Sequence, residues 1–254
     1  MDGPGQFNER NFEQNMPAFP RIYLSVLRPS LAEFFGIYFL TFGLYACLVG
    51  DLRMRGFGAE IAVVFLFIGV YSMTKKVSNG HLNPVITMVQ IFRKGIQPFT
   101  GICYIVAHLL GAVLGALSVR AIKTRKLDSQ FIQPSLGDGH SIFAEMMGTC
   151  IVILAYLCLA TKGKGNTAIL GIGFGYAGAL IAVHGFAMGY LNPALNFGIS
   201  AASNNWEKHY VYWVGTVAGG VLAAILHGLI FASDDALWIV KIMNRRRYFP
   251  ERIT

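Results

Sequence analysis

The sequence predicts an all-α membrane protein with six transmembrane helices and two re-entrant half-helices, arranged as an inverted repeat. Three observations predict this fold: six apolar runs of spanning length, a short Asn-Pro phrase that occurs twice, and two halves that repeat each other in order. Hydrophobic residues make up 54% of the chain and charged residues only 13%. A soluble domain has about 25% charged residues, so the composition favours the bilayer.

The six apolar runs account for most of the chain. They lie at about 30–50, 58–74, 98–119, 141–161, 167–187 and 209–231. We expect residues 1–28 to form a cytoplasmic N-terminal tail without a cleavable signal peptide, and residues 233–254 to form a cytoplasmic C-terminal tail. The membrane domain would then cover 29–232, with repeat halves at about 29–125 and 140–232.

Charge predicts the orientation. With both termini inside, the inner segments hold fourteen Lys and Arg residues and the outer loops seven, although a basic cluster at 120–126 falls outside. The positive-inside rule therefore favours cytoplasmic termini. The net charge of +8 is interpreted as contact of Arg245–Arg247 with the inner leaflet, and no nucleic acid is expected as a partner.

The repeated phrase predicts two half-spanning helices. It is His81-Leu82-Asn83-Pro84-Val85 in the first half and Tyr190-Leu191-Asn192-Pro193-Ala194 in the second. Asn is a strong helix N-cap, and Pro fits the first helical position. About ten apolar residues follow each phrase, which gives roughly 15 Å of helix, half of a bilayer core of roughly 30 Å. Two such helices can meet at the membrane midplane and build a pore or a solute site.

The halves are predicted to have opposite orientations. Ala32, Glu33 and Gly36 match Ala144, Glu145 and Gly148 at an offset of 112, and the Asn-Pro phrases match at 109. Six residues within 104–116 match residues within 212–224 at an offset of 108. Each half carries three spans and one half-helix. An odd number of spans inverts the second half, and the functional site is expected where the halves meet.

The chemistry of these phrases suits a neutral solute. Both half-helices direct their positive ends to the midplane, which disfavours a cation there. The amides of Asn83 and Asn192 can donate to a passing oxygen. Backbone at 79–82 and 189–191, including Gly80, His81 and Tyr190, would supply carbonyl acceptors along the pore.

These motifs resemble the aquaporins, the major intrinsic proteins, over nearly the whole chain. The matching motifs are Ala32-Glu33-Phe34, Gly80-His81-Leu82-Asn83-Pro84, Ala144-Glu145, Asn192-Pro193-Ala194 with Phe197-Gly198, and Tyr212-Trp213-Val214-Gly215. The resemblance implies a right-handed bundle of tilted helices, one pore per protomer, and homotetramers in the lipid bilayer. The sequence shows no nucleophile–base pair, metal cluster or phosphate loop, so we expect no enzyme activity, no cofactor and no metal.

Two acids and one histidine are candidates for supporting roles. Glu33 and Glu145 lie inside spans, where an acid is a functional candidate. The resemblance implies that they accept hydrogen bonds from the loop backbones, and proton transfer is the less favoured reading. His108 stands where the family often has an amide, and a loop-bonding or helix-bonding role is expected.

The departures from the family pattern concern selectivity. Leu195 stands where an Arg is usual after the second Asn-Pro-Ala, Val85 replaces Ala in the first motif, and Thr216 replaces a common Pro. Ungapped alignment from the Asn-Pro anchors assigns the selectivity constriction to four apolar positions, which are Val63, Leu180, Gly189 and Leu195. A single gap would put Phe65 in place of Val63.

Two functions remain open at this stage. The first is a passive channel for water or a small neutral solute such as glycerol, hydrogen peroxide or ammonia. The second is a membrane structural or junctional protein with a vestigial pore. Retention of both Asn-Pro pairs and both acids favours the channel. The plasma membrane is the favoured location, with the endoplasmic reticulum membrane as the second choice, because the missing Arg also resembles a divergent, partly intracellular group.

Overall fold

The protein is all helical in the part of the chain that the structure describes. The structure is a computed structural model, and it describes residues 17–49, 57–122, 137–160, 165–184 and 186–233. The helices are α1 (Ala18–Val49), α2 (Phe57–Ser78), α3 (Pro84–Phe92), α4 (Pro98–Ile122), α5 (Asp138–Leu159), α6 (Gly165–His184), α7 (Pro193–Ser203) and α8 (His209–Leu226). Wider π-helical turns lie within α1 at Tyr23–Leu27 and after α8 at His227–Phe231. Six of these helices are long and apolar enough to cross a membrane.

This architecture confirms the predicted fold class. The two half-helices α3 and α7 lie between the second and third spans of each half, as the Asn-Pro phrases predict. Helix α1 begins at Ala18, inside the predicted N-terminal tail at 1–28. Pro20 does not prevent this start, because a first-turn N–H has no helical partner to lose. Most of both predicted tails and the basic residues at 123–126 lie outside the described residues.

Each half is built on one close helix pair. Helix α4 packs on α1, and α8 packs on α5. A Cβ at Gly111 would strike the Phe34 carbonyl of α1, and a Cβ at Gly219 would strike the Met146 carbonyl of α5. Small residues let helix backbones approach closely in a membrane, where van der Waals packing replaces the hydrophobic drive between helices. The repeat in sequence is therefore a repeat of backbone packing.

Helices α2 and α6, one from each half, pack together and run antiparallel. Large apolar side chains on the outer faces of both helices are exposed, as expected for contact with lipid. Phe65 on α2 is 69% exposed and Phe174 on α6 is 67% exposed. Their inner faces bury smaller and aromatic side chains against the two loops that precede the half-helices.

Candidate pore and its supporting residues

The half-helices start at capped Asn-Pro pairs. Asn83 is extended at φ −160° and its side-chain oxygen accepts the Val85 N–H at 2.8 Å. Asn192 is extended at φ −156° and its side-chain oxygen accepts the Ala194 N–H at 3.1 Å. Each side chain thus satisfies one of the free N–H groups at its helix start. The capping bonds fix the side-chain oxygens toward the helices, so the amide nitrogens point away from them.

The side-chain amide of each asparagine donates a hydrogen bond to the backbone of the opposite loop. Asn83 Nδ2 donates to the Leu191 carbonyl at 2.9 Å, and Asn192 Nδ2 donates to the Leu82 carbonyl at 2.7 Å. Both asparagines are buried, with 4% of each exposed. A side-chain amide has two N–H donors, and the crossed bond uses one of them. The second N–H of each amide therefore takes no part in these two hydrogen bonds.

The leucines before the motifs adopt the left-handed conformation. Leu82 has φ +48° and Leu191 has φ +52°. A non-glycine residue in this region costs free energy and persists only where its surroundings hold it. Here each leucine is held at both ends, since its N–H donates to a buried glutamate and its carbonyl accepts from the opposite asparagine. The strained turns thus join the capping, crossing and glutamate bonds into one network.

Glu33 supports the first loop. Its carboxylate accepts from the His81 N–H at 2.9 Å and from the Leu82 N–H at 2.6 Å. The His108 ring lies at 2.7 Å, measured from Nε2 to Glu33 Oε2. The side chains of Glu33, His81 and His108 are all buried. A buried carboxylate requires such partners, because an unpaired charge inside a protein is costly.

Glu145 supports the second loop in the same way but without a histidine partner. Its carboxylate accepts from the Tyr190 N–H at 3.1 Å and from the Leu191 N–H at 2.9 Å. The position that corresponds to His108 is Thr216, whose hydroxyl donates to the Tyr212 carbonyl of its own helix. Sequence reasoning assigned His108 a bonding role but did not identify Glu33 as its partner. Only the rotation of α4 against α1 places the ring there.

The expected pore carbonyls are partly engaged by the protein itself. Tyr156 donates its hydroxyl to the Asn79 carbonyl at 3.1 Å, and the carbonyls of Leu82 and Leu191 accept the crossed amides. The His81 ring is fixed by its Nδ1 contact with the Thr87 hydroxyl at 3.0 Å. The predicted pore acceptors that these bonds do not engage are the backbone carbonyls of Gly80, His81 and Tyr190.

The register between α2 and α6 is given by two contacts across their seam. Glu60 Oε1 lies 3.6 Å from His184 Nδ1, and the Phe67 and Tyr176 rings stack with centroids 4.3 Å apart. Residue numbers rise along α2 as they fall along α6, as antiparallel helices require. Positions on the same faces between these two contacts must therefore oppose each other.

Val63 and Leu180 occupy those intermediate positions. Val63 is buried at 3% exposure, whereas Phe65 faces outward, so the ungapped assignment has the inward side chain. A Cβ at Gly189 would lie 3.3 Å from the Leu180 carbonyl, which brings the second loop against α6. Leu195 is buried in the first turn of α7. The structure thus brings Val63, Leu180 and Gly189 to one end of the seam.

The Val85 side chain packs against helix α8. One of its methyl groups would clash with a Cβ on Gly220 of α8. Beside this contact, α3 and α8 enclose an apolar groove of about 440 Å³, lined by Val85, Met88, Val89, Phe92, Val217, Val221, Ala224 and Ile225. The larger first-motif residue is therefore accommodated by a glycine on the facing helix.

Comparison with known proteins places this architecture. The family model described as major intrinsic protein matches residues 22–227. A probable aquaporin TIP-type of Medicago truncatula is 29% identical over 222 residues, covering 82% of this chain and 88% of that protein. Aquaporin-1 of Sus scrofa is 30% identical over 196 residues, covering 73% of this chain and 70% of that protein.

A solved structure shares the fold. The X-ray structure of the aquaglyceroporin from Plasmodium falciparum superposes with a TM-score of 0.66 at 19% identity, covering 86% of this chain and 99% of that one. Fold and motifs together define a helical membrane protein with two half-helices that meet across an inverted repeat. The chain belongs to the major intrinsic protein family.

Proposed function

We propose that the protein is a passive channel that carries water and small neutral solutes, through one pore in each protomer. The observation that supports this proposal most directly is the crossed pair of Asn83 and Asn192. Each amide stands at the positive end of a half-helix and keeps one N–H that the crossed bond does not use. Such a pair holds two fixed donors beside one path.

The two donors explain how such a pore would reject protons. A water molecule whose oxygen accepts from both Asn83 and Asn192 has its lone pairs engaged. It therefore cannot accept a proton from the next water, and the hopping chain is interrupted. The fields of the two half-helices raise the energy of any cation at the same place.

Selectivity would depend on the apolar constriction and the loop acceptors. Val63, Leu180, Gly189 and Leu195 supply no charge and no side-chain donor, unlike a constriction with Arg. The carbonyls of Gly80, His81 and Tyr190 would accept hydrogen bonds from solutes along the wall. This combination suits a neutral solute of small cross-section.

The test is permeability of the purified protein in proteoliposomes. Stopped-flow measurements in one preparation would compare water, glycerol and hydrogen peroxide with empty liposomes. We expect water flux well above that of the empty liposomes. Flux equal to the empty liposomes for all three solutes would overturn the proposal and favour a structural protein with a vestigial pore.

Two matched variants would link flux to the asparagines. Asn83→Ser and Asn192→Ser keep a capping oxygen at the helix start while removing both amide donors. We expect a loss of water flux, of proton exclusion, or of both. Asn205→Ser changes the same residue type in the outer loop and serves as the control. If water flux and proton flux are the same in all three variants, Asn83 and Asn192 do not line the conduction pathway.

The same family relation supports the proposed assembly and location. We infer a homotetramer with cytoplasmic termini, held in the plasma membrane. The particle mass in detergent, corrected for bound detergent, would test the oligomer. Accessibility of tags at both termini to protease in intact cells would test the orientation.

A further inference from the structure

Three aromatic rings form a continuous stack between α2 and α6. Phe67 of α2 and Tyr176 of α6 have ring centroids 4.3 Å apart and planes inclined by only 12°. Tyr71, one turn further along α2, has its ring nearly parallel to that of Phe67, at a centroid distance of 6.0 Å and an angle of 7°. All three side chains are buried. We call Phe67, Tyr176 and Tyr71 the aromatic stack.

The stack lies one helical turn inward from the proposed constriction. Phe67 follows Val63 by one turn on α2, and Tyr176 precedes Leu180 by one turn on α6. Side chains four residues apart lie on the same face of a helix. The face that presents Val63 and Leu180 to each other therefore presents the stack as well.

The stack also reaches toward the loops that form the proposed pore wall. A Cβ at Gly80 would lie 2.8 Å from the Tyr71 ring, so the inner end of the stack rests on the first loop. Leu180, on the face shared with Tyr176, rests on the second loop at Gly189. The Tyr71 hydroxyl is buried and has no hydrogen-bond partner within the described ranges. Buried polar groups are usually satisfied by protein or water, so this hydroxyl fits the edge of a wet path.

We infer that the Phe67–Tyr176 contact is the size-limiting gate of the pore, which admits water-sized solutes and excludes glycerol. This inference rests on the proposed channel function and names its selectivity element. Nearly parallel rings 4.3 Å apart are in van der Waals contact, which leaves no room between them for a water molecule of about 2.8 Å diameter. A solute must pass along the ring edges or separate the rings. The apolar ring faces offer no hydrogen bonds in exchange for those that glycerol would lose.

Truncation of the ring pair provides the test, and the chain offers matched controls. Phe67→Ala and Tyr176→Ala remove one ring each. Phe65→Ala and Phe174→Ala remove aromatic rings two residues away on the same helices, from faces that are about two-thirds exposed. Phe67→Leu and Tyr176→Leu keep an apolar side chain, in case the alanine variants fold poorly.

Water and glycerol permeability would be measured per reconstituted protein for all variants. We expect glycerol permeability of the Phe67→Ala and Tyr176→Ala proteins to exceed that of both controls at least about tenfold, which corresponds to a barrier lower by about 1.4 kcal/mol. The leucine variants should fall between the parent and the alanine variants. Water flux that appears only after truncation would overturn the inference as stated, because the parent gate is proposed to admit water.

The outcomes separate this inference from the channel proposal. If the parent conducts water and the truncated variants match the Phe65→Ala and Phe174→Ala controls for both solutes, the stack is part of the wall and the inference is overturned. If neither the parent nor any variant conducts above empty liposomes, the channel proposal itself fails, and the gate with it.

Discussion

The two halves of the molecule repeat their backbone but not its support. Glu33 and Glu145 each accept two loop N–H groups, and the loops behind them adopt matching left-handed turns. Glu33 has an additional partner, His108, whereas the corresponding Thr216 bonds within its own helix. The two halves thus share the shape of the loop. They differ in the side chains that hold this shape, so they should differ in how they tolerate substitution.

The half-helices also differ in how they pack. A Cβ at Gly198 of α7 would strike the backbone of Ala112 in α4, so those two helices touch backbone to backbone. At the contact between α3 and α8, which likewise joins the two halves, the glycine is Gly220 on the spanning helix and the larger residue is Val85 on the half-helix. The second contact is made through a side chain, and it leaves the apolar groove beside it. The first contact is therefore rigid and the second adjustable.

The largest effects are expected from removal of the buried acids. Glu33→Ala and Glu145→Ala each leave two buried N–H groups without an acceptor, at a cost of about 1–3 kcal/mol for each group. Glu33→Ala also leaves the buried His108 ring without its carboxylate partner, so it should destabilise the protein more than Glu145→Ala does. The measurement is the fraction of monodisperse protein after stepwise heating in detergent.

Glu207→Ala is the control for these variants. It changes an exposed acid in the loop before α8. Melting of both glutamate variants at the temperature of the Glu207→Ala protein would show that the loops do not depend on the acids. Equal losses of thermal stability in the two variants would show that His108 adds nothing to the support of the first loop.

Alanine at the two close-packed glycines should give the next largest effects. Overpacking of a tight contact costs about 1–3 kcal/mol, occasionally more. Gly198→Ala meets backbone that cannot move, so we expect a loss at the upper end of that range. Gly220→Ala meets one methyl group of Val85, so Val85→Ala in the same chain should restore stability. Thermal unfolding of the single and double variants would measure this.

The contact between α7 and α4 provides the counter-test. Ala112→Gly removes a Cβ but leaves the carbonyl that a Cβ on Gly198 would strike. The Gly198→Ala/Ala112→Gly protein should therefore stay destabilised. Rescue at both contacts, or at neither, would contradict the distinction between a rigid and an adjustable contact.

Changes at His108 should have a moderate effect. A hydrogen bond to a charged group contributes about 1.5–3 kcal/mol, so His108→Ala should lose stability of that order. His108→Gln keeps a donor within reach of Glu33 and should recover part of it. Thr216→Ala alters the corresponding position in the second half, where the hydroxyl bonds only its own helix, and should be nearly neutral. The comparison fails if Thr216→Ala melts as low as His108→Ala.

The sequence predicts the fold well because hydropathy and capping specify it locally. Spans follow from apolar length, and the half-helices follow from an Asn cap followed by Pro. Side-chain direction within a span is a different matter. Phe65 faces outward and Phe67 inward, although both are apolar residues on one helix. In a membrane helix both faces are apolar, so hydropathy does not distinguish lipid contact from core contact.

Partners across the bundle are equally invisible to local patterns. The aromatic stack and the Glu33–His108 contact join residues on different helices, and they depend on helix rotation. Arg120 belongs to the basic cluster that conflicts with the positive-inside rule, and it donates to the Ala202 carbonyl near the end of α7. A cation there is favoured by the helix dipole. Its position thus has a structural reason that charge counting alone could not supply.

The smallest effect is expected from restoring a charge after the second motif. Ile86 and Leu195 occupy the same position in the two half-helices, and both are buried and apolar. Leu195→Arg would place a cation on the outer half only. A second cation 4 Å away would meet a repulsion of about 1 kcal/mol even in water-like surroundings, or about fivefold in rate. Glycerol flux should fall only slightly, because the aromatic stack already limits it.

Leu195→Met separates charge from size in this experiment, since it changes the side chain without adding a charge. Water, glycerol and cation flux would be measured for the parent and both variants in equal amounts. A drop in cation flux with Arg but not with Met would assign the outer constriction to residue 195. If Leu195→Arg leaves all three fluxes unchanged, residue 195 does not line the path, and the asymmetry between the halves would then rest on their support and packing alone.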